Sequence, residues 1–372
     1  MKNHIIFIDN PISGVSEDYT PLGILTIAAS LPPEYTFELF DLPNSKNEIK
    51  TLLDSCKSAS LIAMSSICST YPRTIGIANK IKEVVVNVPI VLGGPQASST
   101  AKITLENYKS IDYILSGEAD LSFRNFLSFI EGTTSAANVA GLCYRENCNI
   151  KLNKNEIIED LSVLPLPLYE LAFRGDVPDH IPMEIGRGCP FNCEFCSTSS
   201  FFSNYYRTKS VQKVIKDMLT IISKFNPRQI DFIHDMMLVN KKWVLELCKE
   251  IKANDINVKW TCSARTDFVS YNLLSEMKSA GFDGIFFGIE TGSQKMQTEI
   301  NKNLKIPEVN EAIENCEKLD IRYTASFIGG FPTENKEDLQ ETLNLLFKFG
   351  SSHFKKNSIQ FHLLTPPLPV LQ

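Results

Sequence analysis

The 372-residue sequence has no uninterrupted apolar run approaching the roughly 18 residues that cross a bilayer, so no membrane span is expected. It also lacks a leader pattern: in MKNHIIFIDNP the apolar stretch is short and meets Asp9, which does not read as a signal peptide. An excess of positive charge is missing as well. Lys and Arg number 37 against 43 Asp and Glu, a net charge of −6, and without clustered cations there is little counterion release to drive non-specific nucleic-acid binding. With 18 glycines and 19 prolines the chain has too little of either for a collagen-like repeat. At 43% hydrophobic and 22% charged residues it is not short of core material, which excludes intrinsic disorder. The expectation is a globular, cytoplasmic protein of two or three domains, at roughly 150 residues each, with neither membrane nor nucleic acid as partner.

Cysteine is what the sequence has in quantity. Ten cysteines in a cytosolic chain of this size read as thiols or metal ligands rather than disulfides. Where they fall depends on the organisation of the chain. Residues 1–132 alternate short apolar runs (5–8, 35–40, 61–65, 90–92 and 113–115) with helical patterns near 21–31, 48–56 and 74–85. A Gly/Ser/Pro turn region follows the first run. Apolar strands alternating with helices indicate a doubly wound α/β domain that binds ligands at the carboxyl ends of its strands. Residues 133–180, with a β-like run at 139–144 and the proline-rich Leu164–Pro167, read as a linker. A second series fills 181–372, with strands expected at 183–187, 229–235, 258–264, 284–290, 322–329 and 359–364 and five helices between them. That pattern suggests a partial (β/α)6 barrel, with its chemistry in the loops after the strands.

The first of those loops carries Cys189, Cys193 and Cys196 in a C-x3-C-x2-C arrangement, inside Gly186-Arg187-Gly188-Cys189-Pro190-Phe191-Asn192-Cys193-Glu194-Phe195-Cys196. Three thiolates on one short loop suit an iron–sulfur cube and leave one iron open to a substrate or cofactor. Zinc also accepts thiolates, but no second C-x2-C knuckle accompanies the loop. The bland alternative is three buried thiols that happen to be neighbours.

This loop, after a first barrel strand, resembles the radical S-adenosylmethionine (radical SAM) superfamily. The resemblance covers about 183–366 and implies a [4Fe–4S] cluster held by Cys189, Cys193 and Cys196, with SAM chelated at the open iron and cleaved reductively to a 5′-deoxyadenosyl radical. It places Phe195 near the adenine. The later strand ends match in order: His234-Asp235, Ser263-Ala264-Arg265, Gly288-Ile289-Glu290 and Gly329-Gly330-Phe331-Pro332. As SAM contacts they imply polar groups at His234, Asp235 and Ser263, a guanidinium for the carboxylate at Arg265, Glu290 for the ribose or amine, and open backbone at Gly329 and Gly330. The segment Tyr205–Ser210 resembles stretches that cover the cluster.

The N-terminal half resembles the cobalamin-binding domain that precedes many radical SAM barrels. The matching positions are Pro21, Leu22 and Gly23; Ser65, Ser66 and Thr70; Gly93, Gly94, Pro95 and Gln96; and Gly117 and Glu118. Glycines after strands let backbone approach a large flat ligand, and the hydroxyls can bond its amides. An ordinary doubly wound domain without cofactor is the alternative. The D-x-H-x-x-G motif that supplies a cobalt-binding histidine is absent; Gln96 stands where relatives often have histidine, and His4 reads as a surface or edge residue. The remaining cysteines, 56, 68, 143, 148, 248, 262 and 316, read mostly as core residues, with Cys68 and Cys262 close enough to strand ends to approach the site. Trp243 and Trp260 fit core positions, and Lys355-Lys356 a solvated face. The chain stops at Pro366–Gln372, where related proteins continue into a cap.

The combination implies a cobalamin-dependent methyltransferase acting on an unactivated carbon of a small molecule or peptide, with an electron donor such as flavodoxin or ferredoxin. A cyclase or rearrangement enzyme of the same architecture, and a non-catalytic iron–sulfur redox protein, are the alternatives.

Overall fold

The computed structural model describes residues 3–9, 20–41, 46–173, 175, 177–351 and 356–364. The turn region after the first strand, Lys355 and the terminal 366–372 lie outside these described residues. The chain divides into two compact units, one built chiefly from 1–159 and 163–176, the other from 160–162 and 177–366.

In the first unit, β1 (His4–Asp9), β2 (Thr36–Asp41), β3 (Leu61–Ser65), β4 (Ile90–Gly93) and β5 (Tyr113–Leu115) form a parallel sheet in the order β2-β1-β3-β4-β5. The central strand β1 is buried along its whole length, because Ile6 and Ile8 enter a core with Ile62, Leu92, Ile75 and Ile81, while Phe7 meets Phe37 and Phe123 on the opposite face. Each such side chain contributes about 1.5–3 kcal/mol of burial. The strand order reverses between β1 and β3, which opens a crevice at the carboxyl ends of those two strands.

Two expectations are corrected here. Residues 133–180 are not all linker: β6 (Leu142–Glu146) and β7 (Asn149–Leu152) continue the same sheet antiparallel beyond β5. Leu142, Cys143 and Tyr144 of β6 are buried, but β7 is short and mostly exposed and carries little apolar signal. His4 is buried rather than superficial, with Nδ1 2.9 Å from Thr36 Oγ1.

The second unit is a six-stranded parallel sheet of β8 (His180–Glu184), β11 (Gln229–Ile233), β12 (Lys259–Ala264), β13 (Phe282–Glu290), β14 (Arg322–Gly329) and β15 (Ser358–Leu363). Its order runs from β8 at one edge to β15 at the other, so among the described residues the barrel is open. The helices 211–225, 241–253, 271–279, 306–318 and 336–350 lie between the strands, where five helices are expected. Side chains alternate along β12: Trp260, Cys262 and Ala264 are buried in the outer layer, whereas Thr261 and Ser263 are partly open on the inner side. Four of these helices start on a side-chain cap, with Ser210, Asn240, Ser270 and Asn335 accepting backbone N–H bonds. Each cap is worth about 1 kcal/mol and fixes where a strand-end loop must stop.

The expected strand 183–187 is interrupted. It ends at Glu184, and Gly186–Arg187 (β9) instead pairs antiparallel with Arg207–Thr208 (β10).

Candidate active site

The cysteine loop leaves β9 and is fastened along its length. Gly188 has φ +82°, and a Cβ there would meet the Tyr205 carbonyl oxygen at 2.2 Å, so only glycine fits against the 205–208 segment. The Gly188 N–H donates to Asp235 Oδ2 (3.1 Å) and the Thr198 hydroxyl to Oδ1 of the same carboxyl (3.2 Å). Burial pushes the Asp235 carboxyl up, and these two bonds pull it back. Further along, the Glu194 N–H donates to the Ile300 carbonyl (3.1 Å), and Asn301 Nδ2 donates to the Asn192 carbonyl (2.8 Å). The chain that follows β13 is thereby tied to the loop backbone.

Cys189, Cys193 and Cys196 are free and partly exposed. Burial raises the Cys189 thiol, opposed by the Phe191 N–H; it also raises Cys193, opposed by the Lys302 and Arg265 cations. Both thiols feel Cys196 and each other's surroundings, so the three share one small region. Among the described residues no three His, Cys, Asp or Glu side chains converge on a single ion's coordination sphere. A four-iron cube takes its thiolates at separate irons and needs no such convergence, and three soft donors on a fastened loop fit that group.

Beside the loop lies a cavity of about 460 Å3, lined by Glu184, Arg187, His234, Asp235, Ser263, Arg265, Phe286, Gly288, Glu290 and Lys302 among others. Arg265 is buried. Its Nε and Nη2 grip Asp267 (3.0 and 2.8 Å), Nη2 also donates to the Lys302 carbonyl (2.8 Å), and the guanidinium lies 4.1 Å from the centre of the Phe191 ring. Nη1 is buried and has no hydrogen-bond acceptor. A guanidinium that lines the cavity and has a buried N–H without an acceptor suits an anion such as a carboxylate. Glu290 sits at a bulge in β13 with φ +70° and receives the Lys302 ammonium at 2.6 Å, both side chains being buried. Phe195 packs edge-on against Phe331. Gly330 has φ +89° and gives its N–H to Glu334, while Gly329 must lack a side chain because Phe361 lies where its Cβ would be.

His234 does not keep the role expected of it. Nδ1 accepts from the Met236 N–H (2.9 Å), so Nε2 carries the proton and donates to the Arg207 carbonyl (3.2 Å). Both nitrogens are spent on backbone, and the ring borders the cavity without a polar atom to offer it. Gly186 makes this fit: a Cβ there would fall 2.2 Å from the His234 ring. Burial pushes the imidazole down from 6.5 to about 4. Above pH 6.5 the ring is neutral folded or unfolded; below it the unfolded chain takes up a proton that the folded chain refuses until about 4. The wild type is therefore expected to lose about 3 kcal/mol of stability over that interval that His234→Gln does not, read from denaturant unfolding of both proteins at the two ends.

The other cysteines divide by position. Cys56, Cys143, Cys248, Cys262 and Cys316 are buried, while Cys68 and Cys148, expected mostly in cores, are exposed. Cys262 faces the outer layer beside Cys248 and Cys316, away from the cavity, and burial raises all three thiols. Brief alkylation of the native apoprotein should label Cys68 and Cys148 and spare these five; mass mapping that finds Cys262 labelled early would contradict the placement.

In the first unit the carboxyl ends of β3, β4 and β5 come together. The Ser66 N–H donates to the Gly93 carbonyl (3.1 Å), the Gln96 N–H approaches the Ser66 carbonyl (3.4 Å), and the Gly117 N–H donates to Ser98 Oγ (3.0 Å). Gly94, at φ +93°, permits this, since a Cβ would meet the Ser66 carbonyl oxygen at 2.6 Å. Ser66 is buried and its hydroxyl has no partner, which suits a polar ligand at this edge. Ser65 and Pro95 flank it, and Pro21, Leu22 and Gly23 open the helix Leu22–Ala29. Thr70 departs from expectation: its hydroxyl closes the 67–70 turn on Ile67. Glu118 turns one oxygen to the Ile158 N–H (2.9 Å).

The sequence profile of the radical SAM superfamily matches residues 183–346, the span of the fastened loop and the cavity. These residues form a radical SAM domain. The chain is 27% identical over 357 residues to an uncharacterised methyltransferase of Pyrococcus horikoshii, covering 93% of this chain and 76% of that protein. It is 29% identical over 281 residues to the anaerobic magnesium-protoporphyrin IX monomethyl ester cyclase of Cereibacter sphaeroides, covering 71% of this chain and 45% of that one. Among solved structures, the radical SAM methyltransferase TsrM of Kitasatospora setae, with cobalamin and a [4Fe-4S] cluster bound, superposes with a TM-score of 0.80 at 14% identity, covering 97% of this chain and 72% of TsrM. The cobalamin-dependent SAM radical enzyme OxsB, with aqua-cobalamin and SAM bound, gives 0.77 at 22% identity, covering 93% of this chain and 52% of OxsB. Both are likenesses of fold. The chain thus spans about half the length of OxsB and of the cyclase. Lys302, buried in the radical SAM domain, is the residue the sequence motifs missed.

Proposed function

We propose that the chain is a cobalamin-dependent radical SAM enzyme that methylates an unactivated carbon of a small molecule or peptide, drawing electrons from a donor such as flavodoxin or ferredoxin. The observation that carries this reading is the buried Nη1 of Arg265, which has no acceptor, on a side chain that lines the cavity beside the three-cysteine loop. The methyltransferase relative and the fold shared with TsrM and OxsB support it. In this reading the cluster supplies an electron to SAM and cobalamin carries the methyl group. The protein's part is placement. Cys189, Cys193 and Cys196 hold the cluster; Arg265 binds the SAM carboxylate; Ser263 and Glu290 offer polar atoms from the neighbouring strand ends; and Asp235 keeps the loop in register. Ser65, Ser66, Gly93 and Gly94 form the cobalamin edge of the first unit.

The test is anaerobic reconstitution with iron, sulfide and cobalamin, followed by metal and cofactor analysis and a SAM-cleavage assay. Stoichiometric cobalamin and 5′-deoxyadenosine support the reading. Cluster without SAM cleavage under strong reductant would favour a redox protein instead. The likeness to the C. sphaeroides cyclase favours one second reading, ring formation on the same scaffold. Product mass separates the two, since methyl transfer adds a methylene-equivalent and releases S-adenosylhomocysteine.

A further inference from the structure

Lys302 lies outside every sequence motif, yet its ammonium is buried at the centre of the site. Nζ donates to Glu290 Oε1 at 2.6 Å and stands 5.9 Å from the centre of the Phe195 ring. Its carbonyl accepts from Arg265 Nη2 at 2.8 Å. The two preceding residues, Ile300 and Asn301, are the ones bonded to Glu194 and Asn192 of the cysteine loop. Gly288 completes the niche, because a Cβ there would fall 2.5 Å from Glu290 Oε1 and 3.0 Å from Lys302 Nζ. A bulge, a left-handed glutamate and a missing side chain thus make room for one ammonium. A buried ion pair rarely gains stability over apolar packing, so the fold has little structural reason to build it. What the pair does is hold a fixed charge against the loop that carries Cys193.

We infer that Lys302 is a positioning residue whose buried ammonium, balanced by Glu290, sets the reduction potential of the cluster held by the cysteine loop. The inference rests on the proposed cluster. Reduction adds negative charge, and a fixed cation in a site shielded from water stabilises the reduced state. Removing the cation lowers the potential, and removing its counter-charge raises it.

The experiment is a redox titration of the reconstituted full-length protein, followed by electron paramagnetic resonance without SAM. Lys302→Met should shift the midpoint to more negative potential, with about tenfold less reduced cluster relative to oxidised at a fixed potential, about 59 mV for a one-electron couple. Lys302→Arg should keep the wild-type midpoint. Glu290→Gln, which leaves the ammonium uncompensated, should shift it the other way. Unmoved midpoints in Lys302→Met and Glu290→Gln, or shifts of the same sign, overturn the inference, because a purely structural pair has no reason to give opposite signs. If Lys302→Met fails to hold a cluster, Glu290→Gln against wild type decides alone, and a midpoint that is unmoved or more negative overturns it. Wild-type protein that binds no iron defeats the cluster assignment itself; wild-type iron with an unmoved potential defeats only the role of Lys302.

Discussion

Cys193→Ala is expected to leave the reconstituted protein without its iron–sulfur absorbance and without 5′-deoxyadenosine above background. Alanine offers no donor, and two thiolates on a fastened loop leave a second iron of the cube without a protein ligand. The loop itself should survive, because its hold on the fold runs through the Gly188 and Glu194 amides and the Asn192 carbonyl rather than through the cysteine side chains. Circular dichroism should therefore match the wild type. Cys248→Ala is the control: that thiol is buried among helices, and its loss should leave iron content unchanged. Iron retained at the wild-type level in Cys193→Ala would end the cluster assignment.

Arg265→Lys should bind iron normally and lose SAM affinity about 30-fold, about 2 kcal/mol. The charge is kept but the fork is not. Arginine here makes two bonds to Asp267 and one to the Lys302 carbonyl and still keeps a buried Nη1 without an acceptor. A lysine ammonium has three protons on a single atom and cannot face Asp267, the carbonyl and a ligand at once. Equilibrium binding of SAM to the reconstituted variant measures the loss, and unaltered affinity would remove Arg265 from the site.

The alternation of apolar runs and helices was readable because β1, β3, β4 and β14 are largely buried, and burial selects the apolar stretches that distinguish them. The cysteine spacing was readable for a different reason: ligand geometry demands it within one loop. What escaped depends on contacts between distant residues. The β-like run at 139–144 marked β6, but β7 is polar and mostly exposed, so nothing in its own composition shows that the two extend the sheet. His234 looked like a ligand from its place at a strand end, and only the Met236 amide and Arg207 carbonyl show that both its nitrogens are occupied. Lys302 stands in Glu299-Ile300-Asn301-Lys302-Asn303, a polar stretch indistinguishable from a solvated turn. Its burial follows from Gly288 and the positive φ of Glu290, features of a strand twelve and more residues earlier. A single neighbouring signal, the glycine two residues before a glutamate at a strand end, marked the niche without saying what would fill it.

The fastening of the cysteine loop also decides from how far away a substitution can disturb it. Asp235, the Ile300 carbonyl and Asn301 hold residues 188–194 through bonds that involve neither iron nor sulfide. A change at Asp235 or Asn301 therefore reaches the three thiols without touching any of them, by slackening the backbone that carries them.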